Sequence, residues 1–469
     1  IFMAKVKTKW VCQSCGYESF SYLGRCPDCG NFATFCEETV QEAPQLKAGS
    51  SPALVLNNDL CAKRLNDIEN DEKIRLKTDM QEFDRVLGGG FVAGSLVLLA
   101  GDPGIGKSTL ILQTCKNLCS KKDGTGSVCA LYICAEESPQ QVKLRAQRLG
   151  VDTDNLYVTN QNCLEEVVRQ IDEIKPDFLV VDSIQAVFSS QITSSSGSVS
   201  QIRECTNILM HIAKQKNITT VIIGHVTKEG NIAGPKVLEH MVDCVINFEG
   251  DRYKSYRILR SIKNRFGTTS EVGVFNMEDD GLSEVLNPSE LFLNPSDTSN
   301  CGCSVIAALE GTRVLLLEIQ ALTGSTPYPN PRRVARGIEY NRLLQILAVL
   351  EKRVGLNLSK QDVYINVIGG IDIIEPAADL GAALAVLSCA RDIPLKSKTV
   401  MIGEIGLSGE IRAVDNLEKR LREAQKLGFE YAIIPKVNKN IEQKISKLEI
   451  KTCQVSKLTD AIIQAFKQD

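Results

Sequence analysis

Residues Gly101 to Thr109 read GDPGIGKST, set between the apolar run Leu96 to Ala100 and the helical pattern Leu110, Ile111, Leu112, Thr114. A strand that passes through a glycine turn into a helix commits this stretch to an α/β fold, with the turn at the carboxyl end of a strand. The spacing is that of a P-loop. A nucleoside triphosphate carries several negative charges, and only a tight glycine turn points successive backbone N–H groups at them together. Across Gly101, Asp102, Pro103, Gly104, Ile105, Gly106, Lys107, Ser108 and Thr109, the pattern assigns Lys107 to the β/γ-phosphates and the Ser108 hydroxyl to Mg²⁺. The chain is expected to bind ATP or a relative.

From about Thr78, strand-like runs alternate with helical patterns: Leu96 to Ala100, Val128 to Cys134, Phe178 to Val181, Ile218 to Ile223 and Val242 to Phe248. Such alternation predicts a parallel sheet wrapped by helices. Ligands of open α/β sheets bind at the carboxyl ends of the strands, which places further candidates. Asp182 closes the run DFLVVD, where a carboxylate would hold Mg²⁺ directly or through water. Glu136, in the turn Ala135-Glu136-Glu137-Ser138, is placed to orient or deprotonate the attacking water, with Glu137 its rival. His225 follows the next strand and reads as a γ-phosphate sensor or a plain loop histidine. The serine-rich stretch Ser189 to Ser200 is expected to be a mobile surface loop.

At 469 residues and 43% apolar composition, two or three domains with sizeable cores are expected. A formal net charge of −3 gives no global nucleic-acid signature, so any contact with DNA must come from local basic stretches. No run approaches the roughly 18 apolar residues that span a bilayer, and no signal peptide opens the chain; a soluble, cytoplasmic protein without a membrane partner is expected. Met3 is read as the initiator, and Ile1 and Phe2 are left outside the fold.

Disulfides do not suit that setting, so most of the 17 cysteines are expected to be reduced core residues. Four are different. Cys12-Gln-Ser-Cys15 and Cys26-Pro-Asp-Cys29 form a doubled C-x2-C array whose pairs offer two thiolates each to a tetrahedral Zn²⁺. Gly16 and Gly30 allow the tight turns such knuckles need. So small a module has little core, and metal binding contributes on the order of 10 kcal/mol to its folding. Cys36 has no assigned role. Between Glu37 and about Lys77 the chain is polar and irregular and reads as a linker.

These residues resemble the RecA-like ATPases, and within them the bacterial RadA (Sms) family of DNA-repair proteins. The motifs are the four-cysteine finger, DRVLGGGFVAGS at Asp84 to Ser95, GDPGIGKST, VVDSIQ at Val180 to Gln185, GSVSQIRE at Gly197 to Glu204, and KNRFG at Lys263 to Gly267. The resemblance covers essentially the whole chain. It implies a DNA-dependent, helicase-like ATPase of recombinational repair, assembled as a homo-hexameric ring. Such a motor moves on single-stranded DNA and processes branched recombination intermediates made by RecA recombinase. Consistent with it, Arg252 to Arg265 packs six basic residues into fourteen, interleaved with Tyr253 and Tyr256 and followed by Phe266, a composition suited to phosphate contact and base stacking. Lys263 and Arg265 have three readings: DNA contact, a finger reaching a neighbouring subunit's phosphates, and a solvated strand pair.

The last third, from about Asn300, has its own βα pattern: Arg313 to Gln320, a helix near Tyr340 to Val354, Val363 to Val367, a helix near Ala377 to Cys389, and Tyr431 to Ile434. Its text, including PRRVARGIEYNR, EPAADLGAALAV and IGEIGLSGEIRAV, resembles the protease domain of Lon. That family's Ser–Lys dyad needs a hydroxyl and an amine together. Here Ala377 stands at the serine position and Glu418 at the lysine position, with Lys419 adjacent. A non-proteolytic platform for binding and assembly is expected, with Arg332, Arg333, Arg336 and Arg342 as a DNA-facing surface or a charged helix face. The expected plan is α/β throughout: a finger over 3–36, a linker over 37–77, a RecA-like ATPase domain over 78–290 and a Lon-like domain over 300–469. Proteolysis, RecA-like signalling and a purely structural adaptor are the rival functions.

Overall fold

The computed structural model describes residues 7–12, 17–28, 30–40, 75–120, 128–192, 194–225, 237–250, 256–269, 271–293 and 300–466. The chain divides into two compact units, Ile1–Val285 and Leu286–Asp469. The division falls before the expected end of the ATPase region at residue 290. Leu286 and Ser289 are the reason: their carbonyl and hydroxyl pair with Arg313 and with the Leu316 N–H of the second unit's sheet.

In the first unit, a nine-stranded sheet carries the five strands expected from the sequence. Its order is Gly281–Glu284, Val272–Glu278, Tyr256–Asn264, Cys244–Glu249, Leu96–Gly101, Thr219–His225, Phe178–Asp182, Ala130–Cys134, Leu156–Thr159. The six strands from Cys244–Glu249 to Leu156–Thr159 are parallel, and the other three extend the sheet antiparallel. Leu96–Gly101 is buried along its whole length, as a central parallel strand covered on both faces must be. Its alternate residues feed two cores. Val97 and Leu99 join Leu110, Ile111 and Cys115 on one face, while Leu96, Leu98 and Ala100 join Leu164, Ile202 and Leu209 on the other.

Local signals set the helix ends. Ser138 and Gln141 form a reciprocal capping box, with Pro139 at the first position of Pro139–Arg148. Ser198 caps Val199–Lys216, which stops at Asn217 in the left-handed conformation (φ 55°). The serine-rich loop before that helix is tied down. Gln201, 1% exposed, donates to the carbonyls of Ser189, Ile192 and Ser194, and Glu165 accepts from the Ser189 hydroxyl.

The second unit is a seven-stranded mixed sheet, in the order Arg333–Arg336, Gln361–Val367, Arg313–Ser325, Cys303–Glu310, Thr399–Met401, Tyr431–Pro435, Lys451–Val455. Helix Asp379–Arg391 is buried from Asp379 through Ser388, so it is covered on all sides, with Asp379 at its start the one charged residue in that run. The helix expected over Tyr340 to Val354 runs as α-helix to Val349, and a wider π-turn completes it over Leu350–Val354. Near the amino terminus, Lys7–Cys12 pairs antiparallel with Glu18–Ser19 and with Phe35–Val40.

Candidate nucleotide site

The phosphate loop begins where the Leu96–Gly101 strand ends, beside the ends of Thr219–His225 and Cys244–Glu249 (Gly101 opposite His225 and Phe248). Glycine is required at Gly101, where φ is 153° and a Cβ would lie 2.4 Å from the Phe248 carbonyl oxygen. Helix Lys107–Cys119 starts at Gly106 with no side-chain cap and no acidic residue in its first turn. Its leading N–H groups and the positive end of its dipole are thus available to an anion.

Lys107 is 4% exposed and donates to the carbonyls of Gly101 (2.7 Å) and Asp102 (2.9 Å). Burial pushes its ammonium down to about 8, against the attraction of Asp182, Asp102 and Glu136. Its Nζ also lies 3.3 Å from His225 Nδ1. A charged lysine has no acceptor, so Nδ1 must accept, which puts the imidazole proton on Nε2. That nitrogen faces Glu136 Oε1 at 3.5 Å. Glu136 also accepts from the Ser183 hydroxyl. The hydrogen bond from His225, then that from Ser183 and the attraction of Lys107, hold its carboxyl below the usual range despite partial burial. Lys107, His225 and Glu136 therefore form one line across three strand ends. Asp182 stands beside it and accepts from the Tyr132 hydroxyl. Glu137 instead pairs with Arg145 at 2.7 Å.

Ser108 and Asp182 are chemically suited to Mg²⁺, and the loop and Lys107 to a triphosphate. Two cysteines of the doubled array, Cys12 and Cys26, are buried in one small cluster with Phe35, as partners of one ion would be. Cys15 and Cys29 lie outside the described residues.

Lys263 and Arg265 sit elsewhere. Asn264 pairs with Cys244 and Cys244 with Val97, so this segment lies at the amino ends of the parallel strands, opposite the phosphate loop of its own chain. Lys263 donates to the carbonyls of Glu239 (2.7 Å) and Val242 (2.9 Å), closing the end of helix Val237–Met241. Burial lowers its pKa. Arg265 pairs with Asp243 at 3.1 Å, and the other Asp243 oxygen accepts from the Leu96 N–H.

Two residues beside the loop escaped the sequence reading. Arg257, 7% exposed, donates to the Ile105 carbonyl at 3.3 Å. It was hidden in the basic stretch, where no local signal separates it from Arg252 or Arg260. Tyr132 was hidden in an apolar run, and its hydroxyl was the only sign.

In the second unit, Ala377 is buried, and Glu418 pairs with Arg422 at 2.8 Å. Arg342 grips Asp379 with two nitrogens, and Arg333 donates to the carbonyls of Leu358 and Gln361. Arg332 stacks on Tyr328, 4.5 Å from the ring centroid. Arg333 and Arg342 therefore serve internal contacts, and of the four arginines only Arg332 and Arg336 are exposed.

Three families match parts of the chain: the AAA domain over residues 62–231, the rubredoxin metal binding domain over 10–37, and subunit ChlI of Mg-chelatase over 342–438. Among similar proteins, DNA repair protein RadA of Bacillus subtilis is 51% identical, covering 93% of this chain and 94% of its own length. DNA repair protein RadA of Listeria monocytogenes is 50% identical over 99% of this chain and 100% of its own. That of Halalkalibacterium halodurans is 48% identical over 98% and 99%. A solved KaiC-like protein from Pyrococcus horikoshii, 21% identical, covers 45% of this chain and 98% of its own, with a TM-score of 0.38, too slight a likeness to carry an argument. Sharing about half its residues with these proteins over nearly its whole length, the chain belongs to the RadA family of DNA repair proteins.

Proposed function

We propose that this protein is an ATP-driven motor of recombinational DNA repair. It hydrolyses ATP at the Gly101–Thr109 loop and moves on single-stranded DNA, extending or resolving branched intermediates made by a RecA-type recombinase. It works as a homo-hexameric ring in the cytoplasm. The observation that carries this reading is the line Lys107–His225–Glu136 across the strand ends, with Asp182 alongside. The loop N–H groups and Lys107 hold the phosphates, and Glu136 orients the attacking water and takes its proton as the bond to the β-phosphate oxygen breaks. Ser108 and Asp182 would hold Mg²⁺, which would neutralise phosphate charge when bound. Glu136 is favoured over Glu137 because Glu137 is engaged by Arg145.

Cys12, Cys15, Cys26 and Cys29 hold one Zn²⁺, and the finger serves as a docking module. Lys263 and Arg265 act on DNA phosphates or on a neighbouring subunit's nucleotide. Peptide cleavage is no part of this reading, because Ala377 offers no nucleophile and Glu418 no amine. The test is a labelled three-strand recombination intermediate. ATP-dependent movement of its branch point, absent in Lys107→Ala, is expected; movement unchanged in that variant, or none by the wild type, contradicts the reading.

A further inference from the structure

Asp182 is held by a group outside the proposed ATPase machinery. Tyr132 lies in the strand Ala130–Cys134, wholly buried in the core that includes Leu110, Cys115 and Val142. Register pairs Tyr132 with Val180 and Cys134 with Asp182, so the four side chains share one face of the sheet. The ring spans the diagonal, and its hydroxyl donates to Asp182 Oδ2 at 2.5 Å. A phenol carries its proton at neutral pH and can only donate to a carboxylate oxygen. Among the described residues, Asp182 makes no other side-chain hydrogen bond. Behind the pair, Arg145 is fixed by Glu137 on a helix whose start is set by the Ser138–Gln141 box, and its charge attracts Asp182.

A lone aspartate at a strand end turns about two side-chain bonds, and a metal ligand must be oriented before the ion arrives. Committing Oδ2 to a buried phenol removes that freedom. We propose that Tyr132 is a positioning residue for the Mg²⁺ site, fixing the Asp182 carboxylate through Oδ2 so that Oδ1 is the oxygen offered to the cation. The inference rests on the ATPase reading above and adds to it a residue that touches neither nucleotide nor metal.

The test is Tyr132→Phe in the full chain, which keeps the ring and removes only the hydroxyl, beside Asp182→Asn and the double variant. A fluorescent ATP analogue is titrated in EDTA and then at increasing Mg²⁺, and ATP turnover is followed over the same Mg²⁺ series. In Tyr132→Phe, affinity in EDTA should stay within about twofold of wild type, while the Mg²⁺ concentration for half-maximal effect rises on the order of tenfold. Adding Tyr132→Phe to Asp182→Asn should raise it no further. An unchanged Mg²⁺ midpoint in Tyr132→Phe overturns the inference. So does an equal loss of affinity with and without Mg²⁺, which is the mark of a purely structural tyrosine, and so does an additive double variant. A wild type that binds without any Mg²⁺ effect overturns the ATPase reading itself, and the inference with it.

Discussion

Two clusters of charged residues, one in each unit, answer their burial in different ways. At the phosphate loop, buried Lys107 hydrogen-bonds two carbonyls and a histidine and, among the described residues, forms no direct ion pair, and the helix behind it begins without a side-chain cap. In the second unit, near the position of the absent dyad, two arginines grip carboxylates with paired hydrogen bonds. Arg420, 1% exposed, grips both oxygens of Glu375 at 2.6 Å and donates to the carbonyls of Ala307 and Asp415. Arg342 does the same to Asp379, whose Oδ2 also accepts from the Ile405 N–H. Burial raises the Asp379 carboxyl's pKa, and the arginine opposes that shift. Charges gripped by opposite charges stabilise a fold; a buried ammonium held on neutral acceptors beside a row of uncapped N–H groups is suited to an anionic ligand.

The comparison breaks first at Lys107. Lys107→Ala should cut ATP turnover by on the order of 10²–10³-fold, the size typical for removing one charge-stabilising donor, with the melting temperature little changed. Equal losses of stability and turnover would mean that this lysine too is structural. Arg420→Ala should do the reverse. It leaves Glu375 partly buried without its partner, and the second unit should lose about 3–5 kcal/mol in denaturant unfolding while ATP binding persists. A variant as stable as wild type would remove the contrast.

A smaller effect is expected at Arg265, whose side chain is 52% exposed. If it contacts single-stranded DNA, Arg265→Ala should lower the salt slope of binding by about 0.7, one phosphate's worth. If it serves a neighbouring subunit, the slope should hold while turnover falls, and mixing Arg265→Ala with Lys107→Ala subunits should partly restore activity. The smallest change tests the frame around the site. Ser138→Ala removes a helix cap, and about 1 kcal/mol of stability should go with it.

What the sequence made legible here was local. The strand–glycine–helix text at Leu96–Cys119 and the carboxylate ending Phe178–Asp182 are contiguous patterns, and both elements lie close to where the pattern put them. Partners distant along the chain were not legible. Tyr132 meets Asp182 across 50 residues, Arg257 meets Ile105 across 152, and nothing in either's neighbourhood announces it. The Ser189 to Ser200 stretch reads as mobile from its composition because the residue that anchors it, Gln201, lies just beyond it in the following helix. For Lys263 and Arg265 the sequence offers DNA contact, a finger to a neighbouring subunit or a solvated strand pair, and none of these points to the partners seen, the end of a preceding helix and Asp243.

We propose that the phosphate-loop cluster hydrolyses ATP in answer to a DNA strand. This is tested most directly by steady-state ATP turnover of the full chain with and without single-stranded DNA, at low salt and with Mg²⁺, beside Lys107→Ala. Turnover should rise with single-stranded DNA, decline as salt is added, and be lost in the variant. Turnover that is flat with DNA, or that survives in Lys107→Ala, would contradict it.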